Sequence, residues 1–338
     1  MRFGSAGSAL KALPDLIARG GGRNIQIARL ADVEREYDSA RKFGAQYQFL
    51  GDAAYPAMLA ELDNAPACFA YMGDLAIFDR PNISIVGARN ASAGACRFAR
   101  QLALDLGNDG IVVTSGLARG IDTAAHVGAL PTGTIGVIAG GIDVVYPPEN
   151  RDLQAAIAAR GMLIAEQAYG TEPRARHFPH RNRIIAALSS GTVVVEAAPK
   201  SGSLITARLA AEAGREVMAV PGSPMDPRAR GCNHLIREGA TLVQDARDVA
   251  ELIRPIGGNV IRTPRHYVSE PSLFAAQDLE HSDSRQIVTN LLGMTGVAVD
   301  EIVRQSGLPP SEVQMVLLEL ELAGRLERGA GAKVKLTA

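Results

Sequence analysis

The stretch that decides the fold runs from Ile83 to Val145. It opens ISIVGARNAS over Ile83–Ser92 and continues IVVTSGLARGID over Ile111–Asp122. The order is strand, glycine turn, helix, second strand, second glycine turn. A glycine-rich exit from a buried strand into a helix lets the backbone approach an anion, while free N–H groups and the helix dipole supply partial positive charge. Each turn also carries an arginine, Arg89 and Arg119. Both turns are therefore read as phosphate-holding, and the rest of the chain must decide between a small nucleotide and a polymer.

Outward from this stretch, short β-branched runs alternate with helical patterns: TIGVI from Thr134, MLIA from Met162, TVVVE from Thr192 and EVMAV from Glu216. Runs apolar on both faces mark central strands of a parallel sheet covered by helices on each side. Residues 51–253 are thus expected to form a connector followed by a doubly wound α/β domain, whose ligands sit beyond the carboxyl ends of its strands. Residues 1–50 show short helical patterns broken at Gly20-Gly21-Gly22 and are read as a small helical N-terminal module. Residues 254–281, with Pro255, Gly257, Gly258, Pro264 and Pro271, lack periodicity and are read as a linker. Residues 282–338 show three helical spacings, with Ser311 expected as an N-cap, and then a hairpin from Gly324 to Leu336; together these make a winged helix.

The 338 residues are 47% hydrophobic with net charge -1, which excludes a globally basic nucleic-acid binder but leaves room for a local basic groove. No run reaches the roughly 18 apolar residues of a membrane span, so a cytoplasmic protein without membrane contact is expected. Cys68, Cys96 and Cys232 are far apart and outside any CxxC, which suggests buried hydrophobes rather than disulfides or zinc ligands.

The polymer is favoured by TEPRARHFPHRNR over Thr171–Arg183, where Arg174, Arg176, Arg181 and Arg183 face a single glutamate and Phe178 lies among them. Guanidiniums for a backbone and a ring on which a base can stack are what a single strand needs; the plain alternative is a ring anchoring its loop among surface ion pairs. His177 and His180 lack the further ligands that a metal site requires. KSGSLITA over Lys200–Ala207 brings an ammonium, serine hydroxyls and free N–H groups to one helix start, a third anion cradle, although a serine-capped turn would read the same way. Neither a GxxxxGKS/T P-loop nor a GxGxxG fingerprint is present, so no nucleotide cofactor is expected. For Asp122, Asp143, Glu166 and Glu196, hydrogen bonding to loop N–H groups is the expected role, and no catalytic order of residues emerges.

Taken together, GARNAS at 87, SGLARGIDTAAH at 115, YPPEN at 146, FPHRNRII at 178, VEAAPKSGSLITA at 195 and VPG at 220 closely resemble the DNA-processing protein A (DprA/Smf) family, almost continuously over about residues 50–245. YPAML at 55 and Ala65-Pro66 resemble its connector. The resemblance implies an extended Rossmann-like, mostly parallel sheet with a helix-hairpin-helix-like N-terminal module and a C-terminal winged helix. It also implies a homodimer that binds single-stranded DNA, protects incoming DNA and loads RecA recombinase in natural transformation, without catalysis. Carried onto this sequence, the expected DNA-binding residues are Gly87, Arg89 and Ser92; Ser115, Gly116, Arg119 and Gly120; Arg174, Arg176, Phe178, Arg181, Asn182 and Arg183; and Lys200, Ser201, Gly202, Ser203 and Thr206. Ala88 and Ala165 stand where relatives often have hydroxyl residues. The opening residues resemble the middle of the family's helical domain, which implies a late start. The expected recognition helix, Ser311–Ala323, has three glutamates and no lysine or arginine, so a protein contact, or a wing contact through Arg325, Arg328, Lys333 and Lys335, is expected instead of groove reading.

Two rivals remain. The fold also resembles nucleotide-processing phosphoribohydrolases, but their PGGxGTxxE signature is replaced here by EAAPKSGS, with Glu196 before the turn. A ligand-sensing winged-helix regulator is disfavoured by the acidic helix.

Overall fold

A computed structural model describes residues 6–21, 27–253, 281–293, 296–329 and 332–337. The expected linker, save its last residue, lies outside the described residues. The chain folds as two compact units, Leu30–Ile261 and Met1–Arg29 with Arg262–Ala338. The first fifty residues are shared between them. Helix α1 (Ala6–Arg19) packs in the smaller unit, while α2 (Leu30–Phe43) and strand β1 (Gln46–Phe49) belong to the larger.

The larger unit continues with α3 (Ala57–Ala60), β2 (Cys68–Gly73), β3 (Asn82–Gly87), α4 (Ala93–Asn108), β4 (Val112–Ser115), α5 (Ile121–Ala129), β5 (Thr134–Gly141), α6 (Arg151–Arg160) and β6 (Met162–Gln167). It ends with α7 (His177–Ala187), β7 (Gly191–Val195), α8 (Gly202–Glu212), β8 (Glu216–Ala219), α9 (Arg230–Arg237), β9 (Thr241–Leu242) and α10 (Ala246–Ile253). These strands form one sheet in the order β1-β2-β6-β5-β4-β3-β7-β8-β9. From β6 to β9 every pair is parallel, and β2 and β1 close one edge antiparallel. The chain runs outward from β3 in one direction through β6 and in the other from β7 to β9. The order therefore reverses between β3 and β7, where doubly wound sheets open their ligand crevice.

Strands β4, β5 and β7 are buried along their whole length, as the doubly apolar runs require. On one face, Ile184, Ile185 and Leu188 of the α7 segment pack with Ala207 of α8 and Leu59 of α3. On the other, Ala99, Leu102 and Leu106 of α4 meet Ile121 and Ala125 of α5 and Val249 of α10. Each such large side chain removed from water contributes about 1.5–3 kcal/mol. Buried polar groups are tied to the backbone: Ser84 Oγ donates to the Ile185 carbonyl (2.7 Å) and Asn82 Nδ2 to that of Leu188 (3.1 Å). The second bond pins the end of α7 to the start of β3, so α7 begins at the opposite, carboxyl edge of the sheet.

The smaller unit holds α1, α11 (His281–Leu291), β10 (Val297–Ala298), α12 (Val299–Ser306), α13 (Pro310–Leu322), β11 (Leu326–Gly329) and β12 (Lys333–Leu336), with a sheet ordered β10-β12-β11. It is a winged helix around Val288, Ile302, Val313, Leu317, Leu320 and Val334. The cap of helix α13 falls two residues earlier than expected, at Pro309, with Ser311 inside the first turn, because Pro310 has the backbone angle of a first helical residue. Helix α1 lies against α13, where a Cβ on Gly20 would overlap the Glu319 carbonyl; glycine is what permits this approach. Among the described residues no helix is long and apolar enough to cross a membrane.

Candidate nucleic-acid interface

Three loops meet at the carboxyl edge of the large sheet. The first leaves β3 at Gly87. Ala88 N donates to the Glu196 carbonyl (2.7 Å), and Ser92 N to Glu196 Oε2 (2.6 Å), which ties this turn to the end of β7 across the topological switch. Ser92 then caps α4, its Oγ accepting from Ala95 N at 3.1 Å.

The second loop follows β4. Ser115 is fully buried and donates to the Ile85 carbonyl (2.6 Å), so its hydroxyl is structural. Asp122 accepts from Gly116 N (3.2 Å) and Ala118 N (3.3 Å) and folds the loop back on α5, with Gly120 as the α5 cap residue. Beneath it, Arg181 donates to the Val137 carbonyl (2.9 Å) and fills the space that a Cβ on Gly116 would need. Burial pushes Arg181 down to about 10, against the attraction of Asp122, and raises the Asp122 carboxyl against the pull of Arg181. At neutral pH Arg181 keeps its proton. Burial and the Arg181 charge also push His126 of α5 down to about 3; its Nδ1 shares a 2.8 Å hydrogen bond with Thr134 Oγ1.

The third loop enters α7, whose first turn accepts Pro179 because no intrahelical donor is lost there. Phe178 is half-buried. The Arg89 guanidinium lies 5.1 Å from its ring centroid, and the Tyr146 ring 5.5 Å away at 55°. Arg89, Gly116, Arg119, Tyr146, Phe178 and Arg181 line one cavity of about 50 Å³. The space is small, and the Phe178 and Tyr146 rings at its rim offer a stacking platform.

The expected residues divide accordingly. Arg89, Gly116, Arg119, Phe178 and Arg181 come together, with Gly87, Ser92 and Gly120 shaping their turns. Arg174 and Arg176 are exposed just before α7, and Arg176 Nε donates to His177 Nε2 at 3.4 Å. Lys200 is exposed at the start of α8, which packs beside α7, and has no hydrogen bond or ion pair among the described residues. Ser201 caps α8 and shares a 2.7 Å hydrogen bond with Ser203, while Gly202 opens the helix and Thr206 is buried. Asn182 is half-buried on α7.

Arg181 and Arg183, expected among the DNA-binding residues, are instead buried. Both are 6% exposed, and Arg183 pairs with Glu166, away from the cavity. Glu166 also takes His180 Nδ1 (3.0 Å), so it binds side chains where loop N–H groups were expected; Asp143 does accept such a group, from Gly170 (2.7 Å). Of the cysteines only Cys232 is fully buried. Sequence reasoning missed Tyr146, whose signal was its place in YPPEN, and Glu149, which pairs with Arg119.

Residues 46–254 match the family described as DNA recombination-mediator protein A. The chain belongs to this family. Residues 272–332 match the DprA winged helix domain and residues 1–39 the DprA-like N-terminal HHH domain. Among DNA recombination-mediator A proteins, the chain is similar to the DNA processing protein DprA of Streptococcus pneumoniae, 45% identical over 200 residues, 59% of this chain and 71% of the relative. It is also similar to Protein Smf of Escherichia coli, 35% identical over 288 residues, 83% and 75% of the two chains. The X-ray structure of the S. pneumoniae protein aligns with TM-score 0.63 and 40% identity over 66% of this chain and 78% of that one. A Helicobacter pylori relative, described by its single-stranded DNA binding mode, aligns with TM-score 0.56 and 29% identity over 61% of this chain and 94% of that one.

Proposed function

We propose that this protein binds single-stranded DNA along the carboxyl edge of its large sheet, protects incoming strands and delivers them to RecA during natural transformation. In this reading it acts in the cytoplasm, as a homodimer, and carries out no chemistry. The observation that carries the reading is the Arg89–Phe178 pair: a guanidinium with no ion pair among the described residues, held on a half-open ring beside a second ring. Arg89, Arg119, Arg174, Arg176 and Lys200 would follow the phosphates, and Phe178 would stack a base. Arg181 would hold the Gly116 turn from below instead of touching the strand.

Counterion release supplies the test. Each single-strand phosphate contact adds about 0.7 to the slope of log affinity against log salt. Arg89→Ala should flatten the slope by that amount. Superimposable lines for variant and wild type would remove Arg89 from the interface. Delivery is tested separately: RecA strand exchange on protein-coated single strands should rise when this chain is added, and an unchanged rate would refute that part.

A further inference from the structure

A second, larger cavity, of about 260 Å³, opens on the α4 side of the topological switch. Phe98, Val195, Val220 and Pro221 form apolar walls, and the polar groups lining it include Glu196 and Ser223. Pockets for whole drug-sized ligands run about 300–1,000 Å³, so this one suits a single planar ring system rather than a complete dinucleotide.

Glu196 is unusual in two respects. Its backbone takes φ 54, a left-handed conformation that strains a non-glycine residue and is retained where surrounding structure enforces it. Its side chain is only 11% exposed, and its two oxygens are used unequally. Oε2 accepts from Ser92 N (2.6 Å), whereas the nearest cation to Oε1, Arg228 Nε, stands 3.6 Å away, beyond hydrogen-bond distance. A carboxylate only accepts hydrogen bonds, so Oε1, ion-paired with Arg228 but not hydrogen-bonded to it, keeps lone pairs for an N–H donor. Cytosine, adenine and guanine carry such a donor, an exocyclic amine; thymine and uracil have none, and carry a carbonyl where cytosine has N4.

We propose that this cavity is a nucleobase subsite that prefers amine-bearing bases to thymine and uracil, with Glu196 Oε1 accepting the exocyclic amine. The base could come from a bound strand or from a free nucleoside, because the cavity reads the same chemistry in both. The strand route rests on the single-strand reading above; the nucleoside route does not.

The test compares dC20 and dT20 binding, with cytidine and uridine titrations followed by NMR. Wild type should prefer dC20 by about tenfold, the scale of one hydrogen bond to a charged group. Glu196→Gln keeps an oxygen for Ser92 N and offers an amide donor in place of Oε1, so the ratio should swing toward dT20. Gly94→Leu is the second probe. Gly94 lines the cavity, and a Cβ there meets nothing nearer than Ser92 Oγ at 3.9 Å, so the larger side chain can occupy the cavity. It should abolish the dC20 preference while leaving dT20 binding within about twofold, the range of a neutral surface change. Cytidine, but not uridine, should shift the amides of Gly94, Ala95, Gly222 and Ser223.

A dC20-to-dT20 ratio unchanged in both variants, or cytidine shifts equal to those of uridine, would overturn the subsite. If neither polymer binds, the single-strand reading fails, and the nucleoside titration still decides the cavity.

Discussion

At the sheet edge, Arg89 lies over Phe178 and Lys200 stands at a helix start, neither with an ion pair among the described residues. On the wing, Arg328 pairs with Glu321 at 2.8 Å and Lys335 with Glu327 at 3.0 Å, and the neighbouring α13 is packed against α1. Both units have folds that can bind nucleic acid, and Arg325 and Lys333 of the wing also lack an ion pair among the described residues, but only the first unit sets such a cation over an aromatic ring. Fold alone does not assign a nucleic-acid surface; the disposition of its charges and the coverage of its helices do.

The strongest way to break this contrast is Phe178→Ala. Base stacking on an aromatic ring is worth about 1–3 kcal/mol by alanine substitution, so single-strand affinity should fall about 5- to 150-fold with little change in salt slope. Lys333→Ala on the wing should leave that affinity unaltered. Fluorescence anisotropy on one oligonucleotide checks both, and equal losses in the two variants would erase the distinction between the units.

Gly20→Leu tests the covered helix. Its side chain would meet the Glu319 backbone and Ala323 Cβ, and forcing atoms into a packed contact costs about 1–3 kcal/mol. Hydrogen exchange should quicken along α13 while β4 and β5 stay protected. Uniform protection would mean that α1 does not cover α13.

Acid should also separate the units. His126 is neutral in the fold, its pKa held at about 3, whereas unfolded histidine titrates near 6.5. The unfolded chain therefore binds more protons between those values. The stabilisation is complete above about pH 6.5 and falls as pH drops toward 3, by at most about 1.4 kcal/mol per unit. Urea melts of the large unit across this range should show the slope, and His126→Gln should flatten it.

Much of this was legible in the sequence because it is local. Strands buried on both faces must be apolar throughout, and glycine turns between strand and helix announce the carboxyl edge. Arg181 was misplaced although a local signal existed: His177, Arg181, Ile184, Ile185 and Leu188 recur at helical spacing and are all buried, which sets Arg181 on the core stripe. Other features lie beyond any such window. Glu196 reaches Ser92 across 104 positions, Arg119 finds Glu149 thirty residues on, and α1 meets α13 from the far end of the chain. Periodicity says which face is buried, not which distant partner neutralises a charge.

The Arg119–Glu149 pair yields the smallest effect and the sharpest refinement. Both side chains are largely exposed, at 62% and 49%, so the pair holds its partners weakly. Glu149 nonetheless raises the pKa of Arg119 through its hydrogen bond and charge, and so occupies the guanidinium that a phosphate would need. Glu149→Gln removes one negative charge from the cavity rim and frees Arg119. Single-strand affinity should rise a few-fold at low salt, with the salt slope steeper by about 0.7 if Arg119 gains a phosphate. Higher affinity without a steeper slope would mean that Glu149 merely repels the strand. An unchanged affinity would place Arg119 outside the interface, leaving Arg89 as the arginine that couples the glycine turns to DNA.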